Sequence, residues 1–210
     1  MRKTIPFILC LAVALTSIAS LAAADVKIAH SFLGVGKANQ AVIVGEDGKV
    51  EWKFDMPASD GWVLPNGNVL LALYGTKDFP NGGAVEVERE SKKIVFKYVG
   101  QQKETSTVLP LTKDTFLVAE LGPEPRAVEV DRSGKVLKTT PFACQKGNSH
   151  MQTRMLRVLP NGNYIAPHLF DFAVKEYEPG TGKVLNTFPT DDRGREKRDW
   201  PFTAIRLKDG

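Results

Sequence analysis

Two arginines, a histidine and a tryptophan offer the clearest binding chemistry in this sequence. Arg154 and Arg157 flank a Met-Leu dipeptide, and guanidinium groups that point into a channel can hold an anion or a carboxylate. His150 precedes them and Trp200 ends a long charged run; a guanidinium beside an aromatic ring suits an anionic or sugar-like ligand. We therefore expect His150, Arg154, Arg157 and Trp200 to contact a ligand. The alternative is that they are surface residues of tolerated loops.

A second group could ligate a metal ion. His150, His168 and Asp171 have suitable side chains, but they come from different connections and lack the close spacing of a metal motif. The spacing favours polar loop residues, so we expect no metal site.

A third group could act in acid–base catalysis. Glu120 and Glu124, with Arg126, combine two carboxyl groups and a cation within a short stretch. Glutamate pairs are common in loops, however, and the sequence contains no Ser-His-Asp spacing, phosphate-binding loop or paired-cysteine motif. We therefore predict no catalytic residue and no cofactor.

The elements that position these residues form an internal repeat. The hexapeptide Val-Leu-Pro-Asn-Gly-Asn occurs at residues 63–68 and again at 158–163, with weaker copies near 109–112 and 207–210. A second pattern, typified by Gly-Lys-Val, follows in the same order at residues 47–54, 91–98, 133–140 and 181–188. Two patterns in fixed order at intervals of about 47 residues indicate a structural repeat.

Each repeat predicts four strands. β-Branched and aromatic runs follow the Asn-Gly position at residues 68–75, 114–122 and 163–170, and alternating segments that begin Ala-Val occur at 41–46, 84–88, 127–131 and 173–178. The pairs Asn66-Gly67 and Asn161-Gly162 predict two-residue hairpin turns with positive φ at both central residues. The sequence after residue 24 shows no sustained helical period.

The predicted fold is all-β, a β-propeller of four-stranded antiparallel blades, because one such sheet cannot bury both faces alone. The approximate units are residues 25–54, 62–98, 107–140 and 154–188, with a partial unit at 202–210. The first unit begins at a second strand and the last stops on a turn, which predicts a chain truncated from a larger ring. The alternatives are a four-bladed ring closed by residues 203–207, and a solenoid or sandwich.

This strand order assigns each connection to one of two faces. Tight turns join the first to the second strand and the third to the fourth, and they share one face. Longer connections share the other face, at residues 55–61, 76–83, 100–106, 122–126, 141–153, 168–172 and 189–201. Since long loops on a rigid scaffold usually carry binding, we expect the ligand on this long-loop face near the channel mouth.

The segment from Ala41 to Trp52, with its Ala-Val, Gly-Lys-Val and Trp positions, resembles the repeat of the quinoprotein-like (PQQ-like) β-propellers and includes their docking tryptophan. Later copies have Phe96, Lys138 and Asn186 in place of Trp52. The resemblance covers nearly all of the chain after residue 24. It implies either a non-enzymatic scaffold, such as the outer-membrane assembly lipoprotein, or an enzyme with a calcium-held quinone, whose vicinal cysteines and calcium motif have no match here.

A second resemblance is to bacterial arylsulfotransferases, which are propellers with Leu-Pro-Asn-Gly-Asn turns. It implies a catalytic histidine, and only His150 stands in a loosely similar place, without a flanking motif. Quinone, calcium or sulfate-transfer chemistry is therefore expected only under the enzyme alternative.

The N-terminus predicts export. An Arg-Lys pair precedes an apolar run that ends in three alanines, which is typical of a secretory signal peptide over residues 1–24 with cleavage before Asp25. An uncleaved membrane anchor is the alternative. Cys144 would be the single cysteine of the mature chain, so we expect no internal disulfide. The expected location is secreted or periplasmic, without membrane insertion after cleavage.

The charge pattern argues against a nucleic-acid partner. Lys and Arg total 28 against 24 for Asp and Glu, and the densest charged run, at residues 191–200, mixes both signs. The expected function is a non-enzymatic propeller that binds a small molecule, a glycan or a protein on the long-loop face. The alternative is a propeller enzyme similar to a quinoprotein dehydrogenase or an arylsulfotransferase.

Overall fold

The computed structural model describes residues 30–190 and 200–208, and these residues form β-strands joined by turns and loops. The predicted signal peptide, its cleavage site and the charged run at 191–199 lie outside them. The strands pair in four antiparallel sheets, which confirms the predicted all-β class. Their bounds are β1 Phe32–Val35, β2 Ala41–Val44, β3 Val50–Phe54, β4 Ala58–Val63, β5 Val69–Leu73, β6 Gly83–Val87, β7 Ile94–Val99, β8 Glu104–Pro110, β9 Thr115–Leu121, β10 Arg126–Asp131, β11 Val136–Pro141, β12 Arg157–Val158, β13 Tyr164–His168, β14 Ala173–Tyr177 and β15 Val184–Pro189.

Each sheet is a meander in which neighbours in sequence are neighbours in space. The orders are β1-β2-β3, β4-β5-β6-β7, β8-β9-β10-β11 and β12-β13-β14-β15. The pairing of the last two strands shifts register at one equivalent place in every sheet, after Ile43, Glu86, Glu129 and Glu176. Four bulges at one repeat position show that the repeat in the sequence is also a repeat of backbone geometry.

The hydrophobic core lies between successive sheets. Trp52 of the first sheet is 5% exposed and donates its indole N–H to the carbonyl oxygen of Arg89 in the second sheet, over 2.9 Å. At the equivalent position of the second sheet, the ring of Phe96 lies 4.2 Å from that of Phe116 in the third. Since burying such a ring stabilises by about 1.5–3 kcal/mol, this repeat position joins one sheet to the next, as expected of a docking tryptophan.

The hexapeptide forms a different turn from the one predicted. Gly67 donates its N–H to the carbonyl of Leu64, and Leu64 donates to the carbonyl of Asn68, so three residues close the hairpin. Only the glycine has positive φ, +85° at both Gly67 and Gly162, and the prediction of positive φ at Asn66 and Asn161 is wrong. Proline after leucine favours a type I turn, and the glycine then supplies the left-handed residue of a three-residue loop.

The two asparagines of the hexapeptide bind a buried glutamate of the third strand. Asn66 and Asn68 donate side-chain N–H groups to one carboxylate oxygen of Glu86, at 3.3 and 2.7 Å. In the last sheet Asn161 and Asn163 bind Glu176 in the same way, at 3.2 and 2.7 Å. The hexapeptide therefore recurs because it both closes a hairpin and supplies the donors that a buried carboxylate requires.

We expect replacement of Asn163 by alanine to lower the free energy of unfolding by about 1–3 kcal/mol, because it removes a hydrogen bond to a buried charged group. Glu176 is 2% exposed, and hydrogen bonding, first from Asn163, lowers the pKa of its carboxyl to about 2. Urea unfolding measures the change. Lys183→Ala, at an exposed position of the same sheet's hairpin, is the control and should change stability by less than about 0.5 kcal/mol. Equal effects of both variants would contradict the role of the asparagine.

Residues 200–208 lie against the fourth sheet and form no strand. Ala204 packs on Leu159, Ile165 and Val174, and Arg206 places a guanidinium nitrogen 3.1 Å from a carboxylate oxygen of Glu176. In the described part of the chain the first sheet has three strands, so the alternative in which residues 203–207 complete that sheet is not observed.

Candidate functional site

Side chains from all four sheets meet on the long-loop face. Glu104 is the first residue of β8, the first strand of the third sheet. It contacts His150 and Arg154, which lie in the connection that leads into β12. Tyr74 follows β5, and Lys37 follows β1 with its ammonium 5.3 Å from the centre of the Tyr74 ring. We call these five residues the long-loop cluster. The architecture therefore brings together charged and aromatic groups from distant parts of the chain, as expected for this face.

Glu104 is the centre of the cluster. Its Oε1 lies 2.9 Å from Nδ1 of His150 and 3.2 Å from Nη1 of Arg154, and its Oε2 lies 3.1 Å from the same Nδ1, so the imidazole contacts both carboxylate oxygens and the guanidinium contacts one. A carboxylate only accepts hydrogen bonds, which places the His150 proton on Nδ1. The opposite nitrogen, Nε2, has no hydrogen-bond partner among the residues that the structure describes, and the side chain is 39% exposed.

Arg154 is the least satisfied member of the cluster. Its side chain is 9% exposed, and Nη1 donates to the carbonyl of Thr153 over 3.0 Å in addition to its contact with Glu104. Nη2 is buried and has no partner within the described ranges. Since buried polar groups are nearly always hydrogen-bonded, the unused arm of this buried guanidinium is available to a ligand, a water molecule or an ion. The next residue, Met155, has a φ of +42°, a strained conformation of the kind found at functional sites.

Tyr74 and Lys37 form the outer part of the cluster. Tyr74 is half-buried, and this burial raises the pKa of its phenol, while Arg154 lowers it and Glu104 raises it. The hydroxyl therefore stays protonated at physiological pH and can donate a hydrogen bond. Lys37 is exposed and adds a positive charge beside the ring.

Arg157 does not join this cluster. Its Nη1 lies 3.3 Å from Oδ2 of Asp60, and its guanidinium lies 5.2 Å from the centre of the Trp62 ring. Burial raises the pKa of Asp60 to about 6, and Arg157 opposes that rise. The guanidinium of Arg157 thus points toward β4, where a carboxylate of the protein already pairs with it.

Trp200 lies elsewhere. Its ring is 49% exposed and packs edge-on against Phe170, with 6.4 Å between ring centres. The described residues show no contact between Trp200 and His150, Arg154 or Arg157. Of the four predicted ligand residues, the structure therefore brings together His150 and Arg154 alone.

The residues considered for a metal site have separate partners. His168 is fully buried, with Nδ1 2.9 Å from the carbonyl of Gln152 and Nε2 2.7 Å from the hydroxyl of Tyr177. Asp171 forms an ion pair with Lys175, and His150 binds Glu104. Over residues 30–190 and 200–208, no three potential metal-ligating side chains come together.

The glutamates considered for catalysis form a structural ion pair instead. Glu120 is fully buried and accepts hydrogen bonds from Tyr98 at 2.9 Å and from the backbone N–H of Gln101 at 2.6 Å. Nε of Arg126 lies 2.9 Å from its second oxygen, and Glu124 is 3.8 Å from Arg126 and exposed. A carboxylate with all these partners holds β9 and β10 together and has little capacity for proton transfer.

A cleft of about 350 Å³ lies on the opposite, tight-turn face. Leu64, Pro65, Pro110 and Phe116 line it. The charged groups at its rim are paired with other side chains, Arg132 with Glu86 at 2.8 Å and Lys113 with Asp114 at 3.0 Å. These pairs leave the cleft without a free charge, so the long-loop cluster is the stronger candidate.

Sequence reasoning missed Glu104, Tyr74 and Lys37. Each belongs to a different repeat and lies beside a strand end on the long-loop face. Grouping the polar residues that stand next to predicted strand ends on the long-loop face would have placed all three near Arg154. Cys144 is a free thiol in the described part of the chain, and burial raises its pKa to about 12.

No helix in the described ranges is both long and apolar enough to cross a membrane. No protein-family model and no curated protein sequence matches the chain. Its structure is similar to that of a protein of unknown function from Bacteroides caccae, with a TM-score of 0.70 and 21% identity, over 86% of this chain and 62% of that one.

A second similar structure is the WD40 β-propeller domain of Doa1, with a TM-score of 0.58 and 14% identity, over 76% of this chain and 50% of that one. The chain thus spans less than two thirds of the length of either structure. At these identities the likeness concerns the fold alone. The four antiparallel sheets of this chain match part of a β-propeller, as the sequence repeat predicts.

Proposed function

We propose that this chain is an exported, non-enzymatic propeller of the quinoprotein-like type, without quinone or calcium, that binds a small molecule, a glycan or a protein on its long-loop face. The observation that supports this proposal is the convergence of Lys37, Tyr74, Glu104, His150 and Arg154 from four sheets. Convergence of polar and aromatic groups on a rigid scaffold is what recognition requires. The predicted signal peptide supports a secreted or periplasmic location.

The enzyme alternative has one observation in its favour. Glu104 holds His150 in the tautomer that leaves Nε2 without a partner among the described residues, which is how a general base or nucleophile is prepared. Against it, the two glutamates considered for acid–base catalysis, Glu120 and Glu124, are already paired with Arg126. An arylsulfotransferase-like or quinoprotein-like activity therefore ranks second.

A binding screen with matched variants tests the proposal. Purified mature protein is applied to a panel of glycans and small organic acids, and each ligand found is titrated against wild type, Tyr74→Ala and the control Lys135→Ala, which alters the tight-turn face. We expect Tyr74→Ala to weaken binding by about tenfold or more at unchanged melting temperature, and Lys135→Ala to bind normally. Equal binding by all three would reject the long-loop face. Turnover of an aryl sulfate, or of an alcohol after loading with quinone and calcium, that is lost in His150→Gln would establish the enzyme alternative.

A further inference from the structure

We propose that Arg154 binds the carboxylate of a uronic acid or a similar small organic acid, and that protonation of His150 releases Arg154 from Glu104 for this purpose. The inference rests on the proposed function, because it concerns the same face. It assigns a ligand class and a proton-coupled exchange to the long-loop cluster.

The carboxylate of Glu104 contacts both His150 and Arg154. Nδ1 of His150 lies 2.9 and 3.1 Å from the two carboxylate oxygens of Glu104, and Nη1 of Arg154 lies 3.2 Å from the first of them, Oε1, so the imidazole and the guanidinium share that oxygen. The guanidinium uses one arm, whereas Nη2 is buried without a partner in the described part of the chain. A guanidinium presents a planar fork that binds a carboxylate through two parallel hydrogen bonds. Arg154 therefore holds its present carboxylate in an incomplete geometry that a second carboxylate can improve.

Protonation of His150 changes the charge balance between Glu104 and Arg154. With neutral His150, Glu104 and Arg154 neutralise each other. When His150 takes a proton on Nε2, it becomes the charged partner of Glu104, and the guanidinium is left with one uncompensated positive charge. The other titratable members of the cluster are the phenol of Tyr74, which stays neutral, and the ammonium of Lys37 beyond it. Imidazole is the side chain that changes charge between pH 5 and 8, so the exchange is tested over that range.

The charge balance at Arg154 favours a ligand with a single carboxylate over a dianion. Replacing one carboxylate by another at Arg154 conserves charge, whereas a sulfate brings a second negative charge toward Glu104. We therefore expect a monoanion with planar geometry to bind best. The expected dependence on pH follows directly: binding tightens as pH falls and His150 is protonated.

Calorimetric titration with glucuronate at pH 5.5, 6.5 and 8, at constant ionic strength, tests the proposal. We expect wild type to bind about tenfold more tightly at pH 5.5 than at pH 8, within the usual range of coupling between sites. Glucose, which lacks the carboxylate, should not bind. Inorganic sulfate should bind more weakly than glucuronate, and equal binding would overturn the carboxylate assignment.

Three variants separate the inference from the proposed function. His150→Gln should abolish the response to pH, and Glu104→Gln should bind more tightly than wild type at pH 8, because Arg154 is then not neutralised. Arg154→Gln should not bind at any pH, and the matched control Arg89→Gln should behave as wild type. Binding by Arg154→Gln would overturn the site itself. A flat pH profile of wild type, with binding intact, would overturn the coupling alone.

Proton NMR of the wild-type imidazoles avoids any dependence on variants that fail to fold. Because coupling is reciprocal, saturating glucuronate should move the titration midpoint of His150 to higher pH by the same factor. His30, which is exposed, serves as the internal control and should not move. An unchanged His150 titration in the presence of bound glucuronate would contradict the exchange.

Discussion

Replacement of Arg157 by alanine is expected to lower the free energy of unfolding at pH 7 by about 3 kcal/mol, because it leaves the carboxylate of Asp60 buried without its charged partner. The Asp60 side chain is 6% exposed and that of Arg157 is 22% exposed, with 3.3 Å between their charged atoms. The substitution also removes the guanidinium from the face of Trp62, a contact that itself stabilises by about 0.5–2 kcal/mol.

The loss of stability in Arg157→Ala should depend on pH, and the raised pKa of Asp60 determines the direction of that dependence. Burial raises the pKa of Asp60 to about 6, above the value of 3.8 in the unfolded chain. The folded state therefore binds more protons between these values, and the stability contributed by Asp60 falls as pH rises through that window. Without Arg157 the pKa of Asp60 rises further, so the deficit of the variant should be smaller at pH 5 than at pH 7.

Urea unfolding at both pH values measures these differences, and Arg89→Ala is the matched control. Arg89 and Glu51 form an ion pair at 3.5 Å, but both side chains are largely exposed, so its loss should cost less than about 1 kcal/mol. If Arg157→Ala lowered the free energy of unfolding as little as Arg89→Ala, the pair of Asp60 and Arg157 would not be what holds β4 and β12 together.

Most of the fold could be predicted from the repeat, because hydrophobic periodicity and turn residues act locally. The strands after the two Asn-Gly positions and the alternating third strands follow from patterns of this kind, whereas the docking role of Trp52 was implied by the family resemblance. The turn type was predicted incorrectly because Asn-Gly alone favours a two-residue loop, whereas the preceding proline fixes φ and shifts the positive φ to the glycine. The buried glutamates that bind Asn68 and Asn163 could not be predicted, because strand residues of that type are usually exposed.

The candidate site was predicted only in part, because its contacts depend on register and on side-chain direction. His150 and Arg154 were singled out by residue type, and Glu104 brings them together from the preceding sheet. Arg157 is three positions beyond Arg154, yet its guanidinium contacts Trp62 and Asp60 on β4, the first strand of the second sheet. Trp200 was expected beside Arg154, but its ring packs on Phe170 instead. No local pattern specifies which neighbouring strand supplies the carboxylate.

Acidification from pH 7 to pH 4 is expected to remove about 3 kcal/mol of stability through His168 alone. Burial lowers the pKa of His168 to about 4, from 6.5 in the unfolded chain. The unfolded state therefore binds more protons between pH 4 and 6.5, and the contribution of His168 is fully present above pH 6.5 and is lost as pH falls through this window. The cause is burial deep in the core, which outweighs the hydrogen bond between Nδ1 and the carbonyl of Gln152, since that bond raises the pKa of His168.

Comparison of wild type with His168→Gln isolates this contribution, since Asp60 acts in the opposite direction over nearly the same pH range and is common to both proteins. Glutamine retains a donor and an acceptor but does not titrate, so its deficit relative to wild type should be largest at pH 7 and should shrink toward pH 4. His30→Gln, at an exposed position, should follow wild type throughout. A deficit of His168→Gln that stays constant from pH 7 to pH 4 would mean that His168 is not held neutral by burial, and that acid sensitivity of this chain comes from its carboxylates.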